Sequence, residues 1–178
     1  NDSHIVSTYT SGSAAQAAIQ CESTAGTTTN DGGSISYIRL TGSNLTSTRA
    51  IYVGYRNNVW IHHVAIEDFL NGGIWLHVSN NYLSLYATGN KITDCIINNS
   101  AQAGASYQGA IRVSGQSECD VMYNTIDMRE RSPGNNGASF EFQRSKKTRI
   151  ADNTLYRLDS EINSGGTYGW NFFFEGWD

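Results

Sequence analysis

The sequence predicts an all-β solenoid, a parallel β-helix of about six coils with three short strands per coil. Three observations predict it. An asparagine recurs in one local setting, a triplet with alternating apolar residues recurs at a matching offset, and no window carries a sustained helical period. The asparagine settings are Gly89-Asn90-Lys91-Ile92, Tyr123-Asn124-Thr125-Ile126 and Asp152-Asn153-Thr154-Leu155, at intervals of 34 and 29 residues. A further step of 26 residues back from Asn90 reaches Val64 in Val64-Ala65-Ile66, the same slot with an apolar substitute. Spacings of roughly 20 to 50 residues mark stacked repeats.

Each coil is expected to open with a strand in which two apolar residues flank a variable one. These are Ile51-Tyr52-Val53, Leu76-His77-Val78, Ile111-Arg112-Val113, Phe140-Glu141-Phe142 and Phe172-Phe173-Phe174. The alternation is that of a strand with one face buried and the other outward. Gly73, Gly109, Gly137 and Gly169 precede four of them, where the chain is expected to turn. A second strand follows in Val59-Trp60-Ile61, Leu83-Ser84-Leu85, Cys119-Asp120-Val121 and Thr148-Arg149-Ile150, then the asparagine bend and a third strand. Near the N-terminus, Ala14 to Ile19 has the composition of a short capping helix. Ile19-Gln20-Cys21 also aligns with Ile51-Tyr52-Val53, and the strand is the preferred reading.

Eighteen Gly, seventeen Asn, one Pro and 16% charged residues suit a turn-rich β protein better than a helical bundle or a disordered chain. With 39% apolar residues, residues 1–178 can bury a core as a single domain, in which 1–32 form an N-terminal coil or cap. The net charge of −4 argues against a basic nucleic-acid surface. No apolar run is long enough to span a membrane as a helix. Open solenoid ends expose unpaired edges, and the apolar stretch Trp170 to Asp178 reads as a coil that expects a partner above it. The chain is therefore expected to be a segment of something longer.

These strands and bends resemble the right-handed parallel β-helix proteins of the pectin-lyase-like superfamily over residues 33 to 178, and more weakly over Ile5 to Cys21. The resemblance implies an inward ladder of asparagines at one bend, filled by Asn90, Asn124 and Asn153 and ending at Val64. It also implies an extended polysaccharide or glycan as ligand and a lyase or hydrolase as the commonest activity. Two patterns of that superfamily are not found here, a Lys-and-Arg pair on successive strands and clustered aspartates.

Cys21 aligns with Val53 and Val78, Cys119 with Val59, and Cys95 with Phe69 and Leu158. All three are inward positions in different columns, so they read as small buried hydrophobes rather than disulfides. The odd count without CxxC spacing argues against zinc. His62 and His63, as neighbours in a strand, are expected on opposite faces and so unable to share an ion. No metal and no cofactor is expected. Asn44-Leu45-Thr46 and Asn98-Asn99-Ser100 match the glycosylation pattern, which chance produces readily in so Asn-rich a chain. Arg144, Lys146, Lys147 and Arg149 read as a solvated basic turn.

The chemistry is expected on outward residues of the first strand of each coil. Down the repeat the column reads Gln20, Tyr52, His77, Arg112, Glu141, Phe173, with a neighbouring column of Gly54, Ser79, Ser114, Gln143 and Glu175. Rungs stack about 4.8 Å apart, which places His77, Arg112 and Glu141 side by side. Loops at 96–108, 129–136 and 157–168, carrying Arg129, Glu130, Arg131, Asp159 and Glu161, can wall a groove along this face. A uronan lyase needs a group that neutralises the substrate carboxylate and a base for the C5 proton, roles that fit Arg112 and His77. A hydrolase needs two carboxylates, and Glu141 and Glu175 have Cα atoms roughly 8 Å apart in this repeat, suiting an inverting enzyme. Tyr52, Trp75, Gln143, Trp170 and Phe173 are the substrate-binding candidates.

The expected function is thus a secreted or cell-surface β-helix that binds and cleaves a polysaccharide. The alternatives are a solvated ladder of mixed charge on the strand face, and with it a non-catalytic spacer, adhesin or tail-spike-like receptor binder, alone or as a homo-oligomer. Long, unequal loops gathered on one side favour the first.

Overall fold

The structure, a computed structural model, describes residues 3–7, 17–30, 32–42, 49–100, 109–129, 138–157 and 172–175, with Phe173 and Glu175 described through the backbone. Among the described residues seventeen strands follow one another: β1 (Ser3–Ser7), β2 (Ile19–Glu22), β3 (Gly33–Gly42), β4 (Ile51–Gly54), β5 (Val59–Glu67), β6 (Ile74–His77), β7 (Ala87–Thr88), β8 (Lys91–Thr93) and β9 (Ile96–Asn98). Then come β10 (Gly109–Ser114), β11 (Gln116–Ser117), β12 (Asp120–Met122), β13 (Thr125–Asp127), β14 (Ala138–Gln143), β15 (Arg149–Ala151), β16 (Thr154–Tyr156) and β17 (Phe172–Glu175). No helix of the described residues is long and apolar enough to cross a membrane.

All pairings between these strands are parallel, and the chain is a parallel β-helix. A first sheet stacks in the order β2-β4-β6-β10-β14-β17. A larger sheet holds β1, one long strand per coil in β3 and β5, and split pairs in β8 and β9, β12 and β13, β15 and β16, while β7 and β11 pair in a small third sheet. The solenoid makes about 4 turns rather than about six coils. Pairing of Ile19 with Ile51 and Cys21 with Val53 makes residues 19–22 a strand; residues 14–16 of the alternative cap lie outside the described residues.

Inward side chains of the first and the larger sheet meet in one core, from Ile51, Ile61 and Ile66 through Ile111 and Val121 to Phe140, while Tyr55, Val78 and Ala87 form a second, smaller cluster. Its corners are turned by residues with positive φ. At the bend between the second and third strands these are Tyr37, His63, Asp94, Tyr123 and Asp152, with φ of 54, 53, 55, 59 and 56°. The next residues form the inward column Ile38, Val64, Cys95, Asn124, Asn153. Asn124 Oδ1 accepts from Cys95 N at 3.0 Å, and Asn153 Oδ1 accepts from Asn124 N at 2.9 Å. Their amide groups donate to Ile92 O at 3.0 Å and Val121 O at 2.9 Å, one rung back. Cys95 imitates them weakly, its thiol lying 3.8 Å from the equivalent carbonyl of Ile61.

Asn90 is not in this ladder. It stands at the bend before the second strand, in a column with Val59 and Cys119. There its Oδ1 accepts from Val59 N at 2.8 Å while Nδ2 donates to Arg56 O at 2.8 Å and Gln116 Oε1 at 2.7 Å. The bonding logic is the same at both bends, so the local sequence is the same, and the asparagine pattern marks a bend without saying which. The second strand of this coil is accordingly β8, not Leu83-Ser84-Leu85, which lies in a turn with Leu83 61% exposed. Cys95 likewise sits with Val64 and Asn124 rather than with Phe69 and Leu158. Leu158, Asn44, Gly137 and Gly169 lie outside the described residues.

The cysteines are free, and burial pushes the thiols of Cys95 and Cys119 up to about 12. Gly73 and Gly109 serve close approach more than turning: a Cβ on Gly73 would meet Ala110 O at 2.9 Å, and one on Gly109 would meet Glu141 N at 2.8 Å.

Replacing Asn124 by Ala removes an acceptor from a buried N–H and a donor from a buried carbonyl. Urea denaturation is expected to give a loss of about 1–3 kcal/mol for each group left unsatisfied, with the parallel-sheet circular dichroism retained. Asn90→Ala is expected to lose a similar amount at the other bend.

Candidate functional site

The register of the first sheet sets its outward columns. Tyr52 pairs with Trp75, Trp75 with Arg112 and Arg112 with Glu141, and Glu141 is followed by Phe173. The neighbouring column is Glu22, Gly54, His77, Ser114, Gln143, Glu175. His77 is therefore not between Tyr52 and Arg112; Trp75 holds that rung, and His77 takes the place expected of Ser79. A slip of two residues keeps every side chain on its own face, so alternation alone does not separate the two registers. Glu175 stands one rung on and two residues along from Glu141, as expected. Its side chain, that of Phe173, and Trp170, Glu130, Arg131, Asp159 and Glu161 lie outside the described residues.

The outward face of a solenoid sheet is ordinarily solvated. Here Glu141 is 0% exposed, Arg49 1%, Tyr52 2%, Gln143 7% and Trp75 8%. Burying ionised groups is costly unless they are paired, and these are held together by a network. Arg112 Nε lies 3.1 Å from Glu141 Oε1, and Arg112 Nη2 donates to Gln143 Oε1 at 2.8 Å. Glu141 Oε2 accepts from Gly109 N at 3.2 Å, a contact open because residue 109 has no side chain. The guanidinium carbons of Arg49 and Arg112 lie 3.8 and 4.5 Å from the centre of the Trp75 ring, a double cation–π contact. The buried Trp75 Nε1 has no hydrogen-bond acceptor among the described residues.

On the other side of Trp75 in the sheet, the Tyr52 hydroxyl is 2.7 Å from His77 Nδ1 and 3.3 Å from Glu22 Oε1. A phenol donating to Glu22 must accept from His77. With that donor assignment the imidazole carries its proton on Nδ1, and Nε2 is the basic nitrogen. Burial and the adjacent Glu22 carboxylate push the Tyr52 phenol far above its ordinary value, so it keeps its proton. Burial, with Arg112, Arg49 and Arg144 nearby, lowers His77 to about 4. Burial and Arg112 likewise lower Arg49 to about 9, still charged at neutral pH. The cluster therefore presents neutral His77 beside two guanidinium groups.

Arg49 and Glu22 escaped the sequence reading, and the expectation of a solvated Arg144 does not hold. Arg49 precedes the Ala50-Ile51 strand start, and no repeat position announced it. Arg144 is 9% exposed rather than solvated. It donates to Tyr82 O at 2.6 Å, Leu85 O at 3.2 Å and Val78 O at 3.4 Å, clamping the turn that follows β6. Lys146 packs over Tyr86 at 3.8 Å, whereas Lys147 is exposed and pairs with Glu118 at 2.9 Å.

His62 and His63 do not point apart. The positive φ of His63 swings its ring round, and the two Nδ1 atoms lie 2.9 Å from each other, a hydrogen bond with one proton between them. No group of three or more His, Cys, Asp or Glu side chains placed to hold a metal occurs among the described residues.

No family model, no curated protein and no solved structure matches the chain.

Between pH about 6.5 and about 4 the unfolded chain protonates its histidine while the folded His77 stays neutral. Stability contributed by burying His77 neutral is thus present above pH 6.5 and lost as pH falls through this window. Unfolding midpoints measured across it are expected to fall more steeply for the parent chain than for His77→Gln.

Proposed function

We propose that the chain is a carbohydrate-active β-helix of the pectin-lyase-like kind, acting outside the cell on an acidic polysaccharide laid along the first sheet, and that it is a lyase. The observation that carries this reading is the cluster of buried Arg49, Glu141 and Tyr52 with half-buried Arg112 and His77 around Trp75 on the outward face of the first sheet. Clusters of buried, mutually perturbed ionisable groups mark functional sites.

In this reading Arg112, with Arg49 behind it, meets the uronate carboxylate, and guanidinium geometry suits that partner. Withdrawing charge from the carboxylate makes the C5 proton more acidic. His77 Nε2 takes that proton, the C4–O bond breaks, a C4–C5 double bond forms, and the departing oxygen is protonated from water. Glu141 acts as the fixed counter-charge of Arg112: Oε1 is ion-paired and Oε2 accepts from Gly109 N–H. That arrangement suits positioning better than delivery of a proton, which favours lyase over hydrolase chemistry with Glu141 and Glu175. Tyr52, Trp75 and Gln143 shape the floor, and Phe173 and Trp170 stay substrate-binding candidates.

A second reading, a non-catalytic adhesin, spacer or receptor binder, alone, oligomeric or within a larger chain, is favoured by how fully the strip is closed, with Glu141 0% exposed.

Incubation with polygalacturonate and alginate, followed by ultraviolet absorbance of unsaturated uronate ends and by reducing ends, tests the choice. Both signals together are expected. Reducing ends alone point to hydrolysis, and silence with both polymers moves the reading to the non-catalytic β-helix. Arg112→Ala is expected to lower turnover about 100-fold or more, with circular dichroism unchanged. Activity is expected to hold to lower pH than an unperturbed histidine allows, falling only as His77 protonates near about 4. An acid limb near pH 6.5 argues against His77 as the base.

A further inference from the structure

On the sheet that carries the second strand of each coil, three successive rungs place Trp60, Lys91 and Asp120 side by side. With the bend residues Asp94 and Tyr123 they line an open depression of about 520 Å³, floored in part by Thr93 and Met122. Trp60 is 44% exposed and Tyr123 53%. Both rings therefore present aromatic surface to solvent.

The Trp60 ring is also held in place. Its Nε1 donates to Thr93 Oγ1 at 3.0 Å, and its face stacks on His62 with centroids 3.9 Å apart. His62 in turn is fixed by Ser34 Oγ at 2.9 Å and His63 Nδ1 at 2.9 Å. Holding a binding group in place beforehand lowers the entropy lost on binding. Between the two aromatic rings stand Lys91, Asp94 and Asp120, whose side chains make no hydrogen bond or ion pair with the described residues. One cation and two carboxylates leave the depression at net −1, which disfavours nucleic acid and other polyanions.

We propose that this face is a second saccharide-binding strip, separate from the first-sheet cluster, that takes a short run of a neutral glycan. The apolar C–H faces of the sugar rings lie on Trp60 and Tyr123, and their hydroxyls bond to Lys91, Asp94 and Asp120. Charged partners make these the stronger class of hydrogen bond, and two aromatics with a few placed polar groups are the usual make-up of a small-molecule site. Rungs about 4.8 Å apart give the three-rung platform a length of about 10 Å, enough for a short oligosaccharide run. The strip does not depend on cleavage at the first sheet, and it would hold the chain to a mixed polymer matrix while the acidic component is processed elsewhere on the molecule.

Affinity electrophoresis of the full chain in gels containing soluble β-glucan, xylan or galactomannan, with alginate as the acidic comparison, tests it. Retardation by at least one neutral polymer is expected, weakened about 10-fold or more in Trp60→Ala and in Tyr123→Asn. Asparagine suits the left-handed bend at position 123, so that variant reports independently of any folding defect in Trp60→Ala. Arg112→Ala is expected to keep the neutral-polymer retardation while losing activity on acidic polymer. Lack of retardation by all three neutral polymers overturns the proposal. So does retardation that survives both Trp60→Ala and Tyr123→Asn, or that disappears in an Arg112→Ala variant whose circular dichroism is unchanged, since that places binding on the first sheet. Failure of the lyase reading alone leaves unsaturated ends undetected but the retardation intact.

Discussion

The structure rests on a corner that every coil must turn at the same place. A residue in the left-handed region is unfavourable for any side chain with a Cβ, yet Tyr37, His63, Asp94, Tyr123 and Asp152 all adopt it at one bend. The bend persists because the next residue in the chain compensates. The amides of Asn124 and Asn153 accept a backbone N–H and return a donor to a carbonyl one rung back, so a break in the ladder hydrogen bonding is closed by a side chain. Where Cys95 or Val64 stands in the column, the same turn is supported by packing and, for Cys95, a weak thiol contact. Stacked in register, each corner holds its neighbour in position.

That registry also delivers the functional surfaces. Parallel pairing puts Tyr52, Trp75, Arg112 and Glu141 on consecutive rungs although they are far apart in sequence. Ionised groups in this setting are stabilised by one another. Arg112 touches Glu141, Gln143 and the Trp75 ring, while Arg49 approaches the same ring. Removing one member leaves the others with an uncompensated charge in a poor solvent for it. The cost of assembling the cluster is the physical argument for its use, and the open strip around Trp60 makes the opposite case, a surface kept exposed and rigid.

Much of the architecture was legible because a solenoid repeats its rules. Alternation in Ile111-Arg112-Val113 or Phe140-Glu141-Phe142 identified inward and outward residues correctly, and asparagine before an aliphatic strand identified bends. What failed was phase. Asn90 satisfies the same backbone groups at a different corner, and the extra turn after β6 absorbs the residues that shifted Trp75 and His77 by one outward position. Neighbouring-residue rules also failed where φ changes sign, as His62 and His63 show. The burial of Glu141 and Arg49 was out of reach altogether, since alternation assigns a face but not what covers it. Arg144 looked like solvated charge for the same reason, its three carbonyl partners lying some sixty residues away, at separations of 62, 59 and 66.

Arg144 has a further consequence. In a linear stack each coil normally touches only its two neighbours, so stability propagates step by step and ends can fray alone. Arg144 lies just after β14, yet its guanidinium reaches carbonyls of the segment after β6, two rungs away. It passes over Gly115, where a Cβ would stand 2.5 Å from its Nη2. This is a next-nearest-neighbour tie, and it removes the independence of the coil between. The tie couples the stretch from β6 to β14, which carries Trp75, Arg112 and Glu141, more strongly than nearest-neighbour stacking alone would.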